Sequence, residues 1–188
     1  MIFNKHSRLE GQHALLSASK YHWLGYDDDK LERFFDHHMT AARGTKLHDY
    51  AKKAIDLEIR QKDDPPTTLS LYINDAIDYE MTPEQVLFYT DYAFGTADAV
   101  SYWDHFLRIH DLKNGESPAS FKQLYTYAGY FCLEYDLGPL EINGELRIYQ
   151  HNQAYAQIID VDVLTHVVDR LVYANRRYVE RRKELMGR

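Results

Sequence analysis

The stretch FGTADAVSYWDHFLRIHDLKNGESPASFKQLYTY, residues 94–127, decides the fold. Two apolar segments rich in strand formers, FGTADAVSYW and FLRIHDLK, flank the polar pair Asp104-His105 and predict a tight antiparallel hairpin. A two-residue loop at that pair and a four-residue loop over Trp103 to Phe106 give the same register, and that register sets Asp98 directly opposite Asp111. Side chains alternate along a strand, so Lys113 joins Asp111 on one face while Leu112 points away. Directly opposed residues have Cβ atoms about 4.5–5.5 Å apart. At that separation two unpaired carboxylates repel, and a divalent cation between them relieves the repulsion. The expectation is a metal site at Asp98 and Asp111 with the Lys113 ammonium beside it.

Outward from the hairpin, Asn114-Gly115 turns the chain and Ser117-Pro118 supplies the N-cap and first position of a helix to about Tyr135. Gln123 and Tyr127 share one face of that helix, and Leu124, Ala128 and Phe131 lie on its buried side. Upstream, Gly44-Thr45 reads as a break and an N-cap before LHDYAKKAIDLEI, whose Leu47, Ala51, Ala54 and Ile55 recur at helical spacing. His48 stands beside that stripe, where a lone histidine is usually a structural hydrogen-bonder.

Taken together, Gly44-x-x-x-His48, Gly95-x-x-Asp98, Asp111-x-Lys113 and Gln123-x-x-x-Tyr127 resemble the PD-(D/E)XK nuclease superfamily. Within it the pattern is most similar to the RecB-like exonuclease branch that phages and CRISPR systems carry. The motifs cover residues 44–127 in the family's order, with Ala97 where the superfamily's leading Pro often stands. The resemblance implies an α/β, restriction-endonuclease-like core: a small mixed sheet flanked by helices. It implies metal-dependent hydrolysis of phosphodiester bonds, as a DNA exonuclease. His48, Asp98, Asp111 and the Leu112 backbone carbonyl would hold Mg²⁺ or Mn²⁺, hard ions that favour oxygen ligands. Lys113 would orient the nucleophile or stabilise the anionic transition state, and Gln123 and Tyr127 would buttress the site. The segment SASKYHWLGY, a short helix from Ser17 with Trp23 as core anchor, would lie by the nucleic-acid channel, with Ser19 and Lys20 on phosphate or simply at a solvated helix start. The implied partners are single- or double-stranded DNA and a recombination protein or further copies of the chain, in a bacterial or phage-infected cytoplasm. The rival expectation is a non-cleaving binding, assembly or inhibitor module of phage origin that keeps the fold. The intact Asp98, Asp111 and Lys113 favour hydrolysis.

The 188 residues suit one domain, 45% of them apolar or aromatic. A formal net charge of −7 argues against non-specific coating of nucleic acid, so any DNA groove must be locally basic. Arg176, Arg177, Arg181, Arg182 and Lys183 end a long helix from Asp160 to about Leu185 whose apolar stripe is Val163, Val167, Leu171 and Ala174. They suit the helix dipole as a solvated end, or they form a DNA-facing patch through Arg177, Arg181 and Arg182. Cys132, the single cysteine, excludes a disulfide framework and a four-cysteine iron–sulfur staple, and it reads as a core residue. No apolar run approaches the length of a membrane span.

The remaining signals are local. Asp27-Asp28-Asp29 caps a helix, and the adjacent His37 and His38 point about 100° apart on it, a poor geometry for one ion. Asp63-Asp64-Pro65-Pro66 is a loop, followed by a helical TLSLYINDAIDYEM. Thr82-Pro83-Glu84-Gln85 has the signals of a helix start, yet VLFYTDY is rich in strand formers, and a strand is expected over Val86 to Tyr92. Glu141 to Gln150 is another strand, and the first fifteen residues read as a loosely held arm.

Overall fold

In the computed structural model, which describes residues 1, 3–11, 14–32, 46–113 and 120–186, the chain runs through four long helices and five strands. They are α1 (Lys46–Asp56), α2 (Thr68–Asp78), β1 (Thr82–Thr90), β2 (Ala93–Trp103), β3 (Phe106–Leu112), α3 (Lys122–Tyr135), β4 (Asn143–Gln150), β5 (Gln153–Ile158) and α4 (Val161–Met186). Short 3₁₀ segments cover Ser7–Leu9, Ala18–Gly25 and Pro139–Glu141. Asp104 and His105 take φ of 49° and 59°, the left-handed pair of a two-residue hairpin turn whose twist matches the strands it joins. The register that follows, Trp103 on Phe106 through Ala99 on His110, is the one expected from the sequence.

The sheet has the order β1-β2-β3-β4-β5 and is mixed: β3 and β4 are parallel, every other pair antiparallel. The parallel step needs a crossover, which α3 supplies. Helix α3 lies on β1, β2 and β3 with α4 across its back, while α2 covers β3, β4 and β5 and α1 packs on α2 and β1. Caught between sheet and α4, α3 is buried through every residue from Gln123 to Cys132. The fold is α/β, a small mixed sheet flanked by helices, with one apolar cluster on the α3 side and a second on the α1–α2 side.

Several expectations shift in detail. Strand β1 begins at Thr82, because Pro83 sits on an edge strand where its missing N–H costs nothing, and pairing with β2 overrides the helix-start signal. The Ser17 side chain bonds the Ser19 hydroxyl at 2.7 Å instead of capping the segment it precedes, though Trp23 is fully buried as expected. Helix α3 is described from Lys122, with Phe121 at its N-cap; Ser117-Pro118, Asn114-Gly115, Gly44-Thr45 and His37-His38 lie outside the described residues. The stripe of α4 is Leu164, Val167, Leu171 and Ala174, with Val163 exposed. The N-terminal arm is docked: Asn4 donates its backbone N–H to Tyr135, and Leu9 and Ala14 are buried with Val86 and Phe94. Among the described residues no helix is long and apolar enough to cross a membrane.

Candidate metal centre

Continuing the β2–β3 register by one step sets Asp98 opposite Asp111, where β3 ends. On the other side of β2, Pro83 pairs with Ala99 and Gln85 with Ala97, so Glu84 lies across from Asp98. Three carboxylates therefore stand in one row across three strands. Glu84 takes φ of 50°, a left-handed conformation that residues with a side chain rarely adopt inside a strand. Such outliers concentrate at functional sites, where surrounding structure holds them.

Helix α1 lays His48 over this row. Its Nδ1 is 3.3 Å from Asp98 Oδ1 and 3.5 Å from Glu84 Oε1. The hydrogen bond to Asp98, then that to Glu84, pushes the imidazole up to about 10, so without a metal it is protonated between the two acids and would ligate an ion only by giving up that proton. The other Asp98 oxygen accepts the Leu112 backbone N–H at 2.7 Å, which locks the carboxylate to the end of β3. Asp98 is 9% exposed and Asp111 only 1%. Burial first, and the charge of Asp98 second, push Asp111 up to about 7, against the pull of Lys113 and His48.

Lys113 joins the row to α3. Its Nζ lies 3.1 Å from Asp111 Oδ1 and 3.0 Å from Oδ2, and donates to Gln123 Oε1 at 2.8 Å. Gln123 Nε2 donates in turn to the Tyr127 hydroxyl at 3.3 Å. Burial, with Asp98 and Asp111 adding to it, raises Tyr127 well above its ordinary range, which keeps it a hydroxyl. This contact requires Gly95: a Cβ there would stand 2.9 Å from Tyr127 Cε1 and 3.5 Å from the Ala18 nitrogen. The glycine of the Gly95-x-x-Asp98 motif thus admits α3 and the Ala18 segment to β2 three residues from the acid.

The donor set fits a divalent cation. The ligand atoms of His48, Glu84 and Asp98 lie within 4.8 Å of one another, and two oxygens on one ion at about 2.0–2.4 Å can be no further apart than that. Asp111 does not belong to that group of three; its buried Oδ2 has no well-angled hydrogen bond despite its short distance to Lys113. The three donors are two carboxylate oxygens and one imidazole nitrogen, with no thiolate among them.

His48, Asp98, Asp111, Leu112, Lys113, Gln123 and Tyr127 are therefore all brought to one place. Glu84 joins them without having been anticipated. The chain turns at Asp91-Tyr92, and counting back from that turn sets Gln85, not Glu84, against Asp98; the register shift between Phe88 and Thr90 moves Glu84 into the row. Ser19 is exposed on the segment beside Gly95, whereas the Lys20 side chain lies outside the described residues. The basic end of α4 is elsewhere. Arg182 stacks on Tyr92 at the β1–β2 turn, six residues or about 20 Å along β2 from Asp98. Arg177 and Arg181 lie near acids, Glu180 and Asp28 for the first and Glu184 and Glu32 for the second, at 3.1–3.9 Å.

Comparison with models of known protein families finds none that matches the chain, and comparison with curated proteins finds none similar to it.

Proposed function

We propose that this chain is a metal-dependent nuclease of the PD-(D/E)XK type, RecB-like, acting on DNA. The observation that carries the reading is the row Glu84, Asp98 and Asp111 under His48, closed by Lys113, whose ammonium is shared between Asp111 and Gln123. A buried acid row with too few cations lowers stability unless it binds something positive, and a cationic side chain beside it suits an anionic reacting group.

His48, Glu84, Asp98 and Asp111, with the Leu112 carbonyl, would hold Mg²⁺ or Mn²⁺. When bound, the ion would lower the pKa of a water and offset phosphate charge. Lys113 presents a fixed positive charge for the pentavalent phosphate and steers the attacking water. Gln123 accepts one of its three ammonium protons, so the remaining donors are aimed by a residue that is itself buried. Tyr127 holds Gln123 in place and, packed on Gly95, sets the distance between α3 and β2. Hydrolysis breaks one P–O bond, with water supplying hydroxide to phosphorus and a proton to the leaving oxygen.

The test incubates the protein with Mn²⁺ and end-labelled single- and double-stranded DNA beside a covalently closed circle. Labelled ends should be released from linear DNA and the circle spared, and Lys113→Ala should release none. A purified wild type that cuts nothing, or a Lys113→Ala protein that cuts equally, contradicts the reading.

A further inference from the structure

The two edges of the sheet differ. At β1 the edge carries Pro83, Glu84 and a register shift, and the arm and α3 cover it: Gln85 donates to the Asn4 carbonyl at 3.1 Å, and the Phe88 N–H is taken by Glu134 at 2.7 Å. These are the devices by which proteins keep edge strands from pairing with other chains. Strand β5 has none of them. All six residues, QAYAQI, are exposed and uncharged, and among the described residues no strand pairs with its outer side.

The backbone groups available there can be named. His151 and Asn152, at φ of 52° and 57°, form a two-residue hairpin turn, and Ile159 donates its N–H to the Gly144 carbonyl at 2.9 Å. In an antiparallel ladder alternate residues bond to the partner, so Gln153, Tyr155 and Gln157 bond to β4. The N–H and C=O groups of Ala154, Ala156 and Ile158 therefore point outward.

The sequence of the edge is itself symmetric: Gln153-Ala154-Tyr155-Ala156-Gln157 reads the same in both directions. A two-fold contact places each residue against its mirror position, which requires a strand that is complementary to itself and free of like charges. We propose that β5 pairs antiparallel with β5 of a second copy of this chain, with Tyr155 on the two-fold axis, to make one continuous sheet through two molecules. Ala154 then faces Ala156 of the other copy and Ala156 faces its Ala154. Both are narrow pairs that exchange two N–H···O bonds each, and the outer groups of both residues are used. Gln153 and Gln157 face each other as amides, and the exposed Tyr155 (43%) and Ile158 (66%) are covered. An edge of this length makes a contact below about 1,200 Å² in total, the class of weak, concentration-dependent dimers. This inference is independent of the hydrolytic reading.

Sedimentation velocity of the full chain over about 5–500 µM, a range that brackets a weak dimer, should convert a 22.2 kDa species into one of twice that mass. Tyr155→Lys sets two ammonium groups against each other on the axis. Ala156→Pro removes an outward N–H that β4 does not use. Each should weaken the dimer at least about tenfold while circular dichroism and melting temperature stay those of the wild type. A residue on the axis meets its own copy at a Cα separation of about 4.5 Å, within disulfide reach. Tyr155→Cys should therefore cross-link under mild oxidation, and Ile158→Cys, which faces Asn152 of the other copy, should not; the native Cys132 is buried. A chain that stays at 22.2 kDa throughout, a dimer untouched by both edge variants, or equal cross-linking from the two cysteine variants would overturn the proposal.

Discussion

Strand β3 carries two buried polar clusters on its opposite faces, one at Asp111 and one at the neighbouring His110, and they are built on different principles. On the α2 side, His110 Nδ1 meets the Tyr149 hydroxyl at 3.1 Å, and that hydroxyl donates to Asp75 at 2.7 Å. Arg147 bonds Asp75 and Glu145, each at 2.7 Å, and Arg108 and Arg147 lie over the Tyr79 ring. Asp75 and Glu145 balance Arg147 and Arg108, and the histidine is neutral, since burial and then the two arginines push it down to about 3. On the α3 side three carboxylates, Glu84, Asp98 and Asp111, face, among the described residues, only His48 and Lys113. Both clusters leave a buried atom unpaired, Asp111 Oδ2 in one and His110 Nε2 and Arg147 Nε in the other, so the count of hydrogen bonds does not separate them. Charge does. The balanced cluster holds α2 to the sheet; the other has one carboxylate in excess of its cations among the described residues, which on the proposed reading a bound cation would offset.

The largest effect should fall on the unbalanced side. Asp111→Asn and Lys113→Ala should each lower cleavage of end-labelled DNA at least about a hundredfold while the protein stays folded, because in the proposed function both residues would stand at the reacting phosphate. Glu84→Gln should do likewise. On the balanced side, Tyr149→Phe and Arg147→Met should cost about 1–3 kcal/mol in urea unfolding, since each leaves a buried partner unmatched, and should leave cleavage near wild type. Stability loss without activity loss there, and the reverse at Asp111 and Lys113, would sharpen the contrast. Equal behaviour would erase it.

The two clusters should also respond oppositely to pH in metal-free protein. Asp111 has a folded pKa raised from near 4 to about 7, so the folded state holds a proton the unfolded chain has lost, and this contribution to stability falls as pH rises through that window. His110 has a folded pKa lowered from 6.5 to about 3, so the unfolded chain binds the extra proton, and this contribution is lost as pH falls below 6.5. Between about pH 4 and 6.5 the two slopes oppose each other. Asp111→Asn should leave stability climbing with pH there, by up to about 1.4 kcal/mol per unit, and His110→Phe should leave it falling. Chemical unfolding at several pH values measures both.

The hairpin was legible because a two-residue turn permits one register, and the register alone sets Asp98 against Asp111. Gln123 and Tyr127 were legible because helical residues four apart share a face. Glu84 was hidden twice: Thr82-Pro83-Glu84-Gln85 imitates a helix cap, and the register shift near Tyr89 moves the strand by one residue, a change no local pattern signals. Strand β5 was not anticipated, because six neutral residues with only Tyr155 and Ile158 as large apolar side chains carry a weak strand signal. The arginines of α4 raised a DNA patch as one reading because part of their acidic company, Asp28 and Glu32, comes from a segment far away in the chain. The smallest effect follows from that company. Replacing Arg177, Arg181 and Arg182 with Gln should leave the salt dependence of DNA binding unchanged, where a DNA-facing patch would flatten the log–log slope by about 0.9 per lost duplex contact.

The central claim is that the acid row is built for a divalent cation, and thermal melts with and without Mn²⁺ test it without a substrate. An ion that binds the folded site alone stabilises by about 2.7 kcal/mol at a hundredfold excess over Kd, or about 5–10 °C for a domain of this size. Wild type should gain that shift. Metal-free Asp111→Asn should melt at or above metal-free wild type, because one buried like charge is gone, and should gain much less from Mn²⁺. A wild type indifferent to millimolar Mn²⁺, or an Asp111→Asn protein with the full shift, would contradict the account.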